Sequence, residues 1–512
     1  IHCGIIILQY GDTMIKNEYT RQTEIEVVSI EQLVPQDHLL RIIEENYDFS
    51  FVRQRMEPLY SKTQGRPAID PVMLFKMLFI GYLYGIRSER QLAKEVQVNV
   101  AYRWFLNLNL TDKVPDHSTI SQNRRRRFQG TDVFRQMFDD VVQFAYEHEY
   151  IDGKTLYTDS THMKANANNK KFTRELVQKN TQYYLDDIEQ AVNEDRIAHG
   201  KKPLPAKEDS ADEPMKEIKV STTDPDSGYM ARTNKPEGFH YLDHRTCDGK
   251  HNIITDAYIT PGNINDSTVY LDRLNYQINR FGFSVESVGL DSGYHNLNIL
   301  KTLSEKGIYA VVSYRKPGGT KGLFRKSKFQ FDALNNQYIC VQGHVLKYRN
   351  TNRNGFRSYV SDPKICSVCP LLSQCTNNKK HQKVIERHVW EEYAEQVKLN
   401  RKSERGEYMK QRRSETIERS FADAKQLHGY RYARFRGIEK VESQALMTAI
   451  AQNIKKMVMI MTKKRGNPDG DGVLRHILSF FGHIQATLWH FWAHRSNYTL
   501  FSISMSNIFV AC

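Results

Sequence analysis

Two β-prone runs in this chain each carry an aspartate near the point where the run gives out, and no other feature constrains the fold as much. Lys154-Thr-Leu-Tyr-Thr-Asp-Ser-Thr161 holds Asp159 near its end, and Val285-Glu-Ser-Val-Gly-Leu-Asp-Ser-Gly293 stops at Asp291. Strands are depleted in Asp, which packs poorly on a pleated surface. A third acid, Glu418, sits in the helix-prone stretch Ser414-Glu-Thr-Ile-Glu-Arg-Ser-Phe421. Carboxylates on three separate elements can converge once the chain folds. Such oxygen ligands bind Mg²⁺ or Mn²⁺, and two such ions about 3.5–4 Å apart activate a nucleophile and stabilise a leaving oxygen in phosphoryl transfer.

At 512 residues the chain exceeds what one hydrophobic core sustains, so two or three domains are expected. Lys and Arg number 73 against 59 Asp and Glu, a formal charge of +14 that favours a polyanionic partner. Seven cysteines, with Cys366, Cys369 and Cys375 clustered, suit a reduced cytoplasm better than a secreted disulfide scaffold. Ile5-Ile-Ile-Leu8 is too short for a signal or membrane segment, and Met14 is a candidate natural start. The aromatic runs Ile477–Phe481 and Leu488–Trp492 lie among His483, Gln485, His490 and Arg495, so no membrane span is expected in the tail.

From Ser29 to Tyr150 the pattern is helical. Asp70-Pro71 is a helix start, Val72–Leu83 is apolar nearly all round, Gly85 is a stop, and Ser88 caps a helix from Glu89. A second short helix follows near Val100–Leu108, an arrangement that fits either a helix-turn-helix or a plain helical hairpin. Asp116 starts another helix leading into Asn123-Arg-Arg-Arg-Arg-Phe128. Four like charges in one turn repel each other and favour a phosphate backbone, so Arg124, Arg125, Arg126 and Arg127 are expected to give affinity without sequence readout.

After Asp159 comes a charged insertion, 164–219, read as part flexible and part amphipathic helix, with Tyr184, Leu185, Ile188 and Val192 at helical spacing. Two paired strands (Phe239–Arg245 and His251–Thr260), a helix from Pro261-Gly-Asn-Ile-Asn-Asp-Ser267 to Phe281, the Asp291 strand, a helix near Leu297–Lys306 and a strand Ile308–Tyr314 follow. This order is mixed α/β. A β-rich interruption then carries Cys340, Cys366, Cys369 and Cys375, the ligand number of a structural Zn²⁺ site, with unliganded thiols or another thiolate-bound centre as the alternatives. Glu391–Gln426 reads as one helix with Glu418 and Lys425 at i and i+7 on one face; Glu415 competes with Glu418. Gly429-Tyr-Arg-Tyr-Ala-Arg-Phe-Arg-Gly437 mixes aromatic and basic residues, as nucleic-acid contacts do, which brings in Arg431, Arg434 and Arg436; a basic connector between helices is the alternative. Ile438–Met461 is a last helix.

Taken in order, Arg66-Pro-Ala-Ile-Asp-Pro-Val-Met-Leu-Phe, Arg87-Ser-Glu-Arg-Gln-Leu, Asp116-His-Ser-Thr-Ile-Ser, Thr158-Asp-Ser-Thr, Gly289-Leu-Asp-Ser-Gly-Tyr and Glu418-Arg-Ser-Phe-Ala-Asp-Ala-Lys425 resemble a bacterial insertion-sequence transposase of the DDE class. The resemblance implies an α/β, ribonuclease-H-like mixed sheet with helices, in which the first and fourth strands lie side by side and bring Asp159 to Asp291. A small β-rich, cysteine-containing insertion interrupts that sheet domain, and an all-helical domain precedes it.

The implied domains are 29–150 for DNA binding, 151–315 and 385–462 for catalysis, 316–384 for the insertion and 463–512 for the tail. Asp159, Asp291 and Glu418 become the triad holding Mg²⁺ or Mn²⁺, two ions, with Lys425 on DNA phosphate. The resemblance also implies cleavage at terminal inverted repeats, strand transfer into target DNA, a homodimer that pairs two ends, and a cytoplasmic, nucleoid-associated bacterial enzyme. A metal-dependent nuclease without strand transfer and an inactive DNA-binding relative are the rivals. One departure stands out. Such enzymes carry an arginine one helical turn before the glutamate, whereas here position 414 is Ser and the arginine is Arg413.

Overall fold

The computed structural model describes residues 27–61, 63, 68–178, 185–205, 215–231, 237–314 and 320–464. The leader with Met14, Arg66 and Pro67, Tyr184, and the tail beyond 464 lie outside the described residues.

Eight helices come first: α1 (Ile30–Leu33), α2 (Leu39–Asn46), α3 (Ser50–Met56), α4 (Pro71–Leu83), α5 (Glu89–Val98), α6 (Val100–Phe105), α7 (His117–Asn123) and α8 (Val133–Glu147). The start of α4 follows its sequence, for the Asp70 side chain accepts from the Met73 amide, Pro71 fills the first turn, and every residue from Leu74 to Leu83 is buried. Gly85 ends this segment at φ +67°, and a Cβ there would lie 2.7 Å from the Leu427 carbonyl, so the position needs glycine for conformation and for close approach. Between α5 and α6 stands only Asn99, which caps α6. A helix-turn-helix uses a turn of three or four residues, so this junction is a tight helical corner.

The main sheet has eight strands: β1 (Thr155–Lys164), β2 (Phe172–Gln178), β3 (Met215–Ser221), β4 (Gly228–Met230), β5 (Gly238–Asp248), β6 (Ile254–Pro261), β7 (Ser287–Leu290) and β8 (Tyr309–Val312). Its centre runs β6-β5-β1-β7-β8, with β5 antiparallel to both β1 and β6, and with β1, β7 and β8 mutually parallel. The first and fourth strands of this set are therefore neighbours, as the resemblance implied. Between β2 and β3 lies α9 (Leu185–Ala198), which buries Ile188 and Val192 as its spacing predicts. The strands β2 and β3 themselves were not expected in this charged stretch. They form an outlying ribbon in which even Leu176 is exposed, so no alternation of apolar and polar residues announced them. Two crossover helices, α10 (Asp266–Phe281) and α11 (Leu297–Glu305), flank β7.

A second, antiparallel sheet runs β13-β12-β11-β10-β9, from β9 (Gln330–Asp332), β10 (Gln337–Ile339), β11 (Val345–Thr351), β12 (Phe356–Ser361) and β13 (Val384–His388). It carries two short helices, α12 (Pro363–Ser367) and α13 (Leu372–Cys375), and extends to His388, past the expected limit at 384. Its own core is small: Phe329, Tyr338, Leu346, Tyr359 and Ile385.

The helix expected over 391–426 is broken twice. Ser403 separates α14 (Glu391–Lys402) from α15 (Glu404–Arg413) and caps the latter through the Gly406 amide. A π-helical turn, Ser414–Glu418, then leads into α16 (Arg419–Leu427). The last described helix, α17 (Ile438–Lys464), packs against α2, α4 and α8 on the helical side and against β6 of the sheet. The Asn453 amide closes both hydrogen bonds with the Ile254 backbone, at 2.8 and 2.7 Å. One continuous core runs from Leu40 through Phe138, Leu156 and Val288 to Val458. The helical region thus shares its interior with the sheet and has no separate core of its own.

Candidate active site

Parallel pairing of β1 with β7 ends at Thr158 opposite Leu290, and the next residue on each side is an aspartate, Asp159 and Asp291. Asp291 has just left its strand and accepts from the Ser292 amide at 2.6 Å, capping a short 3₁₀ turn. Asp159 accepts from the Ser160 amide at 2.8 Å.

The third acid arrives through the π-turn. Arg413 donates to Glu418 at 2.8 Å and to Asp159 at 2.5 Å, so one guanidinium bridges two carboxylates from elements far apart in the chain. In an α-helix, residues five apart point in different directions; a π-turn, with i to i+5 hydrogen bonds and more residues in each turn, brings them toward one face. The one-residue displacement of Arg413 is therefore compensated by the backbone. Thr416, buried in this turn, donates to the Arg412 and Arg413 carbonyls at 2.8 and 3.2 Å, satisfying groups that the wide turn loosens. Glu415 instead pairs with Arg412 at 2.7 Å, away from Asp159.

Burial pushes the Asp159 carboxyl up to about 6. Arg413 and the Ser160 amide oppose that rise, while the charges of Asp291 and Asp266 add to it. Asp266, the first residue of α10, is a fourth acid that the sequence reading passed over. Ser160 donates to it at 2.8 Å, and a Cβ on Gly293 would lie 3.0 Å from its carboxylate. Its only sequence signal was an ordinary helix start, in which Asn265 is the cap. Tyr294, buried beside these groups, has its hydroxyl pKa raised well above normal by burial and by Asp266 and Asp159.

Among the described residues, no three His, Cys, Asp or Glu side chains are grouped so as to hold a metal ion as they stand. The donor chemistry nevertheless fits a hard divalent cation: the donors are carboxylate oxygens, and two of them already share one positive charge, that of Arg413.

The basic residues divide. Arg125, Arg126, Arg431 and Arg436 are exposed. Arg124 pairs with Glu89 and lies 3.9 Å over the Phe435 ring, Arg127 lies over Tyr60, and Arg434 lies 4.2 Å over Tyr82. These three are engaged within the protein, as is Arg436, whose guanidinium donates to the Asn166 carbonyl at 2.9 Å. Like Arg124, Tyr82 belongs to the helical region, so the aromatic-basic segment 429–437 packs against that region through Arg434 and Phe435. Lys425 donates to Thr161, two residues beyond Asp159, at 2.5 Å. In the small sheet, Cys340, Cys366, Cys369 and Cys375 line one cavity.

A transposase domain, DUF772, matches residues 28–126, and a transposase DDE domain matches residues 339–458, a span that includes Glu418. The chain therefore carries two regions that match transposase domains. The second of these is a DDE domain. No curated protein matches it. Among solved structures, it is similar to a Mos1 transposase paired-end complex with left transposon end, at 12% identity and TM-score 0.15 over 50% of this chain and 62% of that one. It is also similar to a piggyBac transposase synaptic complex with hairpin DNA, at 11% identity and TM-score 0.25 over 86% and 84%. The chain thus spans less than two thirds of the Mos1 chain it matches. Among the described residues, no helix is long and apolar enough to cross a membrane.

Proposed function

We propose that this chain is a transposase that cuts DNA at the ends of an insertion sequence and joins the freed ends to target DNA, with Asp159, Asp291 and Glu418 as the acids that hold divalent metal. The observation that carries this reading is the bridge from Asp159 through Arg413 to Glu418, beside a parallel strand pair that brings Asp291 alongside. The strand order β6-β5-β1-β7-β8 supports a ribonuclease-H-like catalytic unit.

Mg²⁺ or Mn²⁺ bound by these acids supplies electrostatic stabilisation of a phosphodiester under attack and lowers the pKa of bound water. The chain's own residues do the rest. Arg413 fixes the Asp159 and Glu418 carboxylates in one orientation, so neither has to reorganise when DNA arrives. Ser160 and Asp266 hold the strand directly after Asp159. Lys425, anchored on Thr161, presents its charge on the same side for a DNA phosphate. Exposed Arg125 and Arg126 bind backbone phosphate, and two chains pair the two ends.

The test uses DNA carrying the element's ends together with pre-cleaved ends. Asp159→Asn, Asp291→Asn and Glu418→Gln should each abolish cleavage and joining while end binding survives. Cleavage without joining of pre-cleaved ends would identify a nuclease. Undiminished cleavage in any of the three variants rejects the site assignment.

A further inference from the structure

We propose that Cys340, Cys366, Cys369 and Cys375 bind one Zn²⁺, which staples the small five-stranded sheet. Three separate segments bring these thiols to one place. Cys340 follows β10 in a tight turn, where its amide donates to the His344 carbonyl at 2.8 Å and the Gly343 amide donates back to the Cys340 carbonyl at 2.9 Å. Cys366 and Cys369 form a CxxC at α12, with the Cys369 amide donating to the Cys366 carbonyl at 3.2 Å. Cys375 closes α13. All four line a single cavity, and none is in a disulfide.

Among the described residues no three of these side chains are grouped so as to hold a metal as they stand, so binding requires the thiols to draw together and give up their protons. Lys383, on the cavity wall, donates to the Cys375 carbonyl at 2.7 Å and holds that segment against the sheet.

The need for a staple follows from the size of the core. Five buried side chains serve a five-stranded sheet with two short helices, far less apolar burial than a unit of this kind usually needs. The cavity also carries His344 and Asp362, whose carboxylate caps α12 through the Lys364 amide; four cysteine ligands beside them select a soft, tetrahedral ion, of which Zn²⁺ is the common one. The inference is independent of the cleavage reaction, because none of these residues touches the acids of the catalytic site.

The test is metal analysis of the full-length chain, purified without chelator from zinc-supplemented cells. About one zinc per chain is expected, released in step with modification of about four thiols by a mercurial reagent. Cys366→Ser combined with Cys369→Ser should leave less than about one tenth of that zinc, and Cys247→Ser, in the main core, should retain it. A Co²⁺-substituted chain should show the intense visible bands of a tetrahedral thiolate site. Wild-type chain without zinc, iron in its place, or zinc retained by the double serine variant would overturn the proposal. Should that variant be insoluble, the wild-type metal content and thiol-coupled release still decide it.

Discussion

Replacing Asp159 with Asn should stabilise the fold while destroying the chemistry, and the size of the gain depends on pH. Burial raises the Asp159 carboxyl to about 6 in the folded chain, whereas an unfolded Asp ionises near 3.9. A folded value above the unfolded one means that ionising the group costs stability. Below about pH 4 both states hold the proton and nothing is lost; the loss grows as pH rises through about 6 and is then constant. A gap of about two units is worth roughly 3 kcal/mol. Asn cannot ionise, so Asp159→Asn should exceed wild type by about 2–3 kcal/mol at pH 8 and by under about 0.5 kcal/mol at pH 4. Paired urea unfolding in EDTA, followed by tryptophan fluorescence, measures this. Asp248, also raised to about 6 by burial, titrates equally in both proteins and cancels. A variant no more stable than wild type at pH 8, or a gain that does not change with pH, would refute the reasoning.

Other expectations follow from the same geometry. Glu415→Gln should leave cleavage within about threefold of wild type while Glu418→Gln abolishes it, because only Glu418 shares Arg413 with Asp159; rates on end-bearing DNA separate the two. Arg413→Lys keeps the charge but loses the planar fork whose two terminal nitrogens each hold one carboxylate, so cleavage should fall at least about tenfold with end binding unchanged in gel shifts. Combined Arg125→Ala and Arg126→Ala should weaken DNA binding and reduce its salt slope by about two, whereas Arg124→Ala should chiefly lower the melting temperature, since its partner Glu89 would be left unpaired. Phe138→Ala, fully buried in the shared core, should cost about 3–5 kcal/mol in denaturant unfolding.

Much of the architecture was legible because local signals and tertiary demands agree. Asp70-Pro71, Ser88 and Asn265 start helices where capping chemistry says they should, and the strands around Asp159 and Asp291 fall where β-prone runs end in an acid. The π-turn was not legible. Ser414-Glu-Thr-Ile-Glu418 has ordinary helix propensity, and only the extra residue before Glu418 hinted that the spacing had to be absorbed. Asp266 escaped notice because an acid in the first turn of a helix has a sufficient local reason to be there, through the macrodipole. The internal contacts of Arg124, Arg127 and Arg434 were hidden for a related cause: whether an arginine meets phosphate or an aromatic ring depends on partners remote in sequence, such as Phe435 and Tyr82. Strands β2 and β3 lacked a buried face to impose a pattern.

The position of α17 between the helical region and β6 bears on when the enzyme becomes competent during synthesis. Until that segment leaves the ribosome, α4 and α8 on one side and β6 on the other lack their common partner, and the Ile254 backbone lacks Asn453. Growing chains therefore hold Asp159 and Asp291 on an unfinished scaffold, and an interrupted translation product would lack the packing that sets them in place.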